Sequence, residues 1–220
     1  MTSPYDTYTS PLATRNASPA MLGLWSARHK FNTWRRIWLA VAEAQLRMST
    51  TYVHRSRFTL PVSSEQIEEL RAVVNRAGGI TDDEILLATK YERELRHDVM
   101  AHVHALGDAC PKARPIIHLG MTSQDVVCNA DYVVLIESLW TIESKLARCA
   151  VALADSALAS KALPCLSFTH YQPAQPTTVG RRTIQWASDL ELSRHRLAST
   201  KATMLPRGLK GATGTQAAFV

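Results

Sequence analysis

Apolar residues recur along this chain at three- and four-residue spacing, the period that gathers them on one face of a helix. Trp34, Ile37, Trp38, Val41 and Ala42 make the first such face. Ser63 followed by Gln66 reads as a capping box opening a helix that stops at Gly78-Gly79. Thr81-Asp82-Asp83-Glu84 reads as another capping box, and Val99, Val103 and Leu106 carry a helical face up to Pro111. From Ser123 to about Ala162 there is neither Gly nor Pro, and apolar residues run from Val126 through Leu139 to Leu146. At 1.5 Å per residue, roughly 39 residues make a helix of roughly 58 Å. A second long helix is expected after Pro176, through Ile184, Trp186, Leu190 and Leu197. Apolar positions this numerous cannot belong to exposed rods, so most faces must pack on other helices. The fold class is therefore all-α. An N-terminal helical domain spans residues 1–121, and residues 122–220 begin a long-helix bundle that stops incomplete at Val220. Arg47 to Thr59 is polar, basic and without period, and reads as an inserted loop.

Between the two long helices lies S-F-T-H-Y-Q-P-A-Q-P-T-T-V-G, Ser167 to Gly180. It sets His170 among Thr169, Gln172, Gln175, Thr177 and Thr178, with Pro173 and Pro176 fixing φ and removing amide donors. A histidine held in such a non-helical segment titrates near neutrality and can pass a proton. A lone histidine is more often a packing or surface group, but three further segments supply partners. Arg96-His97-Asp98 lies in L-R-H-D-V-M-A-H-V-H-A-L-G, a second segment runs from His118 to Asp131, and a third is G-L-K-G-A-T-G-T-Q-A from Gly208 to Ala217. Thr122 and Ser123 put two hydroxyls at the start of the long helix, where free amides and the dipole favour an anion. Plain N-capping is the other use of such residues, and both can hold together. Arg96, His97 and Asp98 could be an ordinary surface charge cluster, or Asp98 could orient an imidazole. His102 and His104 read as packing or surface groups. The H-D-x3-H spacing lacks the further ligands a metal site needs.

With these segments read together, the chain resembles the fumarase/aspartase superfamily of lyases and, within it, the adenylosuccinate lyase family of animals and fungi. The likeness runs from Ser10 to Val220. The T-S-x5-N pattern at Thr122–Asn129 and T-H-x-Q-x-A-Q at Thr169–Gln175 are superfamily features; R-H-D-V-M-A-H-V-H and F-T-H-Y-Q-P-A-Q-P-T-T-V-G-R-R belong to the narrower family. The resemblance implies C–N bond elimination with release of fumarate from adenylosuccinate to give AMP. It also implies the parallel cleavage of the succinylated aminoimidazole carboxamide ribotide in purine synthesis. It makes His170 the general acid and Arg96, His97 and Asp98 the trio that binds the nucleotide. Thr122, Ser123, Thr169 and Gln172 are then substrate-binding, with Lys210 near the site. Arg15 matches an arginine for substrate phosphate, followed by Asn16 where the family usually has tyrosine. Cys128 stands where an acidic residue is expected, while Asn129 is kept. No metal and no organic cofactor is implied. The partners implied are a small-molecule substrate, a succinylated purine nucleotide, and three further copies in a homotetramer whose active sites each draw on three subunits. A superfamily loop of the form S-S-x-M-P-x-K-x-N, expected to carry the serine base, has no match here. The expectation is a fragment inactive alone. Other readings are a different fumarate-releasing lyase such as argininosuccinate lyase, against which R-H-D-V-M-A-H-V-H argues, and a non-catalytic helical assembly.

Composition narrows the field further. Hydrophobic residues make up 46% and charged residues 20%, a folded rather than disordered balance. The net charge of +6 is scattered without an aromatic-interleaved basic stripe. It would also suit an anionic small substrate, and charge alone does not choose between that and nucleic acid, although no nucleic-acid partner is expected. No apolar run reaches the roughly 20 residues that cross a bilayer. The N-terminus has no basic and hydrophobic leader, and the four cysteines show no C-x-x-C pairing. The expected location is the cytoplasm, with reduced thiols and no zinc site.

Overall fold

In the computed structural model, residues 3, 6, 8, 10, 12–51 and 62–215 are described. The chain forms two compact units, Met1–Val134 with Pro206–Val220, and Leu135–Leu205. The division expected at residue 121/122 differs from this one, which falls inside a helix that starts in the first unit and ends in the second.

The first unit opens with α1 (Ala13–Asn16) and α2 (Pro19–Leu24). In α2, Ser18 caps the N-terminus by accepting from the Met21 amide, and Pro19 takes the first position, where a missing N–H costs nothing. α3 runs Ala27–Thr51 and buries Trp34, Trp38, Leu39 and Ala42. The loop expected from Arg47 therefore begins later: residues 47–51 continue the helix, and residues 52–59 lie outside the described residues. Nothing in residues 47–51 breaks a helix, and an aperiodic polar end is tolerated where one face needs no partner.

α4 (Ser64–Val74) and α5 (Asp82–Leu95) both start on the expected capping boxes, Ser63 with Gln66 and Thr81 with Glu84. Each box satisfies two otherwise orphaned amides. α6 (Asp98–Ala109) packs on α5, and a 3-10 turn at Arg114–Ile116 leads to α7. The shared core is Trp34, Trp38, Ile67, Leu70, Val99 and Leu106, closed by Val126 and Ala130 from the start of α7. Arg35 is buried on the same helix as the tryptophans and pairs with Glu84 at 3.3 Å. Glu84 also receives Arg76, so one carboxylate serves two guanidinium groups.

α7 spans Ser123–Ala159, 37 residues, close to the expected extent. In the second unit its later part is followed by an antiparallel hairpin, β1 (Pro164–Thr169) and β2 (Gln172–Thr178), and by α8 (Val179–Thr203). Among the described residues this hairpin is the one departure from an all-helical reading. Two prolines in β2 suit a two-stranded sheet, where each strand is an edge and need not donate every amide. Thr178 caps α8 by accepting from the Arg181 amide at 3.1 Å. Gly180 sits in the first turn of α8, where an added Cβ would lie 2.3 Å from the Ala157 carbonyl oxygen. Any side chain there would push α8 off the end of α7. Trp140, Leu158 and Trp186 remain more than half exposed in this unit.

Candidate active site

Where α5 meets α6 the chain turns in two residues. Arg96 ends α5 in the left-handed region, φ 55°, with its amide on the Glu92 carbonyl at 2.8 Å. A side chain pays about 1 kcal/mol or more for that conformation. The turn makes His97 the N-cap of α6, where its Nδ1 accepts from the Met100 amide at 3.3 Å. With Nδ1 accepting, the neutral ring carries its proton on Nε2. Nε2 lies 3.1 Å from Ser123 Oγ, so Nε2–H donates to that hydroxyl. The Asp98 carboxylate is 3.7 Å from Nδ1 and accepts instead from the Val99 amide at 2.7 Å. The Met100 amide, rather than Asp98, orients His97. Of the predicted residues, the structure thus brings His97 and Ser123 together, with Arg96, Asp98 and Thr122 beside them in sequence.

Ser123 accepts from His97 and keeps its own proton to give away. The first turn of α7 is closed from within, because Asp125 accepts from the Thr122 amide at 3.1 Å. Asp125 is fully buried and also takes the amides of Lys210 and Gly211, each at 2.9 Å, with Arg207 at 3.5 Å. Burial alone would raise this carboxyl; the amides of Lys210, Thr122 and Gly211 and the Arg207 charge outweigh it and hold it below the usual carboxylate range. Asn129, one turn on, brackets Gly208: its Nδ2 donates to the Gly208 carbonyl and its Oδ1 accepts the Gly208 amide, both at 3.0 Å. Gly208 and Gly211 both have positive φ, 70° and 67°, which lets successive amides face the carboxylate and the side-chain amide. Lys210 is therefore held by its backbone, and its side chain is exposed. Sequence reasoning assigned no role to Asp125. The available signal was its position between Ser123 and Asn129, with Asn129 one helical turn further along.

His118 has φ 68° and accepts at Nδ1 from the Trp38 indole N–H at 3.1 Å. His102 is buried against Phe31, ring centroids 3.8 Å apart, and against Trp34. Burial, then the charges of Arg35 and Lys30, push it down to about 4 against a weak opposing pull from Asp98. His104 contacts Arg114 at 3.1 Å and the Tyr91 ring. Among the described residues no group of three or more His, Cys, Asp or Glu could hold a metal ion.

In the second unit, His170 and Tyr171 form the two-residue tip of the hairpin between paired Thr169 and Gln172. Both have positive φ, 50° and 62°, as two-residue hairpin loops require. Asn-Gly is the usual occupant, so a His-Tyr tip carries strain that other turn residues would avoid. Thr169, His170 and Gln172 are exposed, and among the described residues the His170 ring has no hydrogen-bond partner. Arg15 and Asn16 lie exposed on α1. Asn16 lines a groove of about 460 Å³ with Tyr8, Met21 and Trp25.

A protein family described as lyase matches residues 13–220. The chain belongs to this lyase family. It is 42% identical over 216 residues to the adenylosuccinate lyase of Saccharomyces cerevisiae, covering 98% of this chain and 42% of that protein. To the adenylosuccinate lyase of Schistosoma mansoni it is 41% identical over 217 residues, again 98% of this chain and 42% of that protein. The chain thus spans less than half the length of these relatives. Among solved structures it is similar to a fumarate lyase from a Mesorhizobium species, with a TM-score of 0.76 at 21% identity over 91% of this chain and 44% of that one. A 3-carboxy-cis,cis-muconate lactonizing enzyme from Pseudomonas putida gives a TM-score of 0.75 at 23% identity, over 96% of this chain and 45% of that one. At such identities the likeness is one of fold: the helical architecture with its long helices is shared. No helix among the described residues is long and apolar enough to cross a membrane.

Proposed function

We propose that this chain carries part of the active site of a fumarate-releasing lyase that cleaves adenylosuccinate to AMP, and the succinylated aminoimidazole carboxamide ribotide by the same chemistry. The elimination needs a base for the proton on the carbon β to nitrogen and an acid for the departing nitrogen. It also needs fixed donors for the negative charge that builds on a carboxylate. The observation that carries the reading is the His97–Ser123 contact at the head of α7. It commits a Ser123 lone pair to an imidazole and leaves the hydroxyl proton for an anion. His170 is the acid, exposed at a hairpin tip with no competing hydrogen bond among the described residues. Arg96, His97 and Asp98 bind the nucleotide, and Arg15 beside Asn16 takes its phosphate. Thr169, Gln172 and Lys210 complete the contacts. The 42% identity to a named adenylosuccinate lyase supports this substrate class.

The working form is a cytoplasmic homotetramer, and the exposed Trp140, Leu158 and Trp186 are the kind of surface that subunits cover. These 220 residues contain no S-S-x-M-P-x-K-x-N loop, so alone they should not turn over. The test joins them to the remaining part of the Saccharomyces cerevisiae relative and follows fumarate release from adenylosuccinate. Turnover of the joined protein, with none from the chain alone, is the expected result. A folded tetramer that binds AMP yet leaves adenylosuccinate intact overturns the reading, and cleavage of argininosuccinate instead moves it to another lyase.

A further inference from the structure

His118 closes the loop that leads into α7 and lies within electrostatic reach of both Asp125 and His97. Its backbone is in the left-handed region, φ 68°, a conformation a histidine holds only when its surroundings impose it. What holds the ring is Trp38, 1% exposed in the core, whose Nε1–H reaches His118 Nδ1 at 3.1 Å across edge-on rings. An indole nitrogen can only donate. Nδ1 must then be bare, and the ring's proton sits on Nε2. Among the described residues Nε2 has no hydrogen-bond partner, and it is not one of the sealed polar atoms.

We propose that Trp38 is a positioning residue: its indole N–H locks His118 as the Nε2–H tautomer, so that the ring presents a neutral N–H donor at the entry to α7. Burial favours the neutral ring, the nearby His97 adds to that preference, and Asp125 opposes it. The indole works in the same direction as burial, because a protonated imidazole has no lone pair at Nδ1 and must break the bond. A neutral donor can meet an anionic oxygen and be left unchanged across the pH range in which a free histidine titrates. That use of the donor rests on the lyase reading; the tautomer lock does not.

The test needs no catalysis. The chain is labelled with 15N at histidine and indole nitrogens, and the His118 signals are assigned by their loss in His118→Gln. The expected spectrum shows His118 as a single Nε2–H tautomer at neutral pH. The Trp38 indole proton should be protected from exchange, and its shift should collapse at the pH where His118 titrates. In Trp38→Phe, His118 should populate both tautomers and titrate at higher pH. A His118 that carries its proton on Nδ1, or an indole proton indifferent to His118 protonation, overturns the lock even if the variant fails to fold. If the lock is seen but the joined enzyme releases no fumarate, the lyase reading fails and the lock stands.

Discussion

At the head of α7, Asp125 gathers three amides and an arginine, Asn129 brackets Gly208, and Ser123 is bonded to a histidine whose own tautomer is fixed by a backbone amide. At the tip of the β1–β2 hairpin, His170 and Tyr171 hold strained backbone angles in the open, and Tyr171 is 99% exposed. One region is organised by its own hydrogen bonds; the other is presented rather than packed. The contrast matches the two kinds of work proposed for them. Binding and charge stabilisation need groups that do not move, so their partners are built in beforehand. A proton donor must reach its substrate, and a ring already bonded elsewhere would have to let go first.

The comparison breaks first at His170. In a lyase-competent assembly, His170→Ala should lower kcat by roughly 10²- to 10⁴-fold, the usual contribution of a positioned proton donor. Urea denaturation should show almost no change in stability, since the residue is exposed and its ring has no hydrogen-bond partner among the described residues. Loss of stability as large as the loss of rate would mean that the tip is structural.

Asp125→Ala should do the reverse. It strips the acceptor from three amides and Arg207 inside a buried site, and breaking a buried charged network costs about 3–5 kcal/mol. Denaturation of the chain measures this directly. A cost near 1 kcal/mol would show that the loop holding Lys210 is fixed by something other than this carboxylate.

The buried His102 sharpens the same contrast through pH, because it lies on the helix that His97 caps. Its folded value of about 4 lies below the ordinary 6.5, so the neutral ring is the one the fold accepts. A depressed value contributes stability that is present above the unfolded pKa and lost as pH falls through the window from 6.5 to about 4. The full loss is about 3 kcal/mol. His102→Leu should flatten that part of the stability curve, read by denaturation at a series of pH values. An unchanged acid slope would assign the sensitivity to other groups.

Helices and their limits were legible because the rules that set them are local. Ser63 with Gln66 and Thr81 with Glu84 are three residues apart, and α7 runs where Gly and Pro are missing. Residues 47–51 misled for the same reason: a polar, aperiodic stretch looks like a loop when only periodicity is read, yet nothing in it stops a helix. The hairpin was legible as a non-helical segment but not as strands, since Pro173 and Pro176 argue against a strand unless both strands are edges. The motif containing His170 gave its identity, but the positive φ at His170 and Tyr171 leaves no mark in composition. Asp125 and Trp38 were least visible. Their partners lie far along the chain, Lys210 for one and His118 for the other, and a sequence does not display contacts made at that distance.

The smallest expected effect tests whether the hairpin tip is strained for a reason. Tyr171 has φ 62° and is 99% exposed, so its side chain adds no packing to offset an unfavourable backbone. Glycine adopts that region freely, and a non-glycine residue there costs on the order of 1 kcal/mol. Part of the gain from relieving it is returned, because glycine also gives the unfolded chain more freedom. Tyr171→Gly should therefore stabilise the hairpin by about 0.5 kcal/mol, measured by hydrogen exchange of the β1–β2 amides. In an assembled lyase the same variant should lower kcat or raise KM, because the tip would lose the aromatic neighbour and the fixed angle that aim His170. A variant both more stable and fully active would show that the tip's strain is incidental, and that aiming of His170 comes from elsewhere in the site.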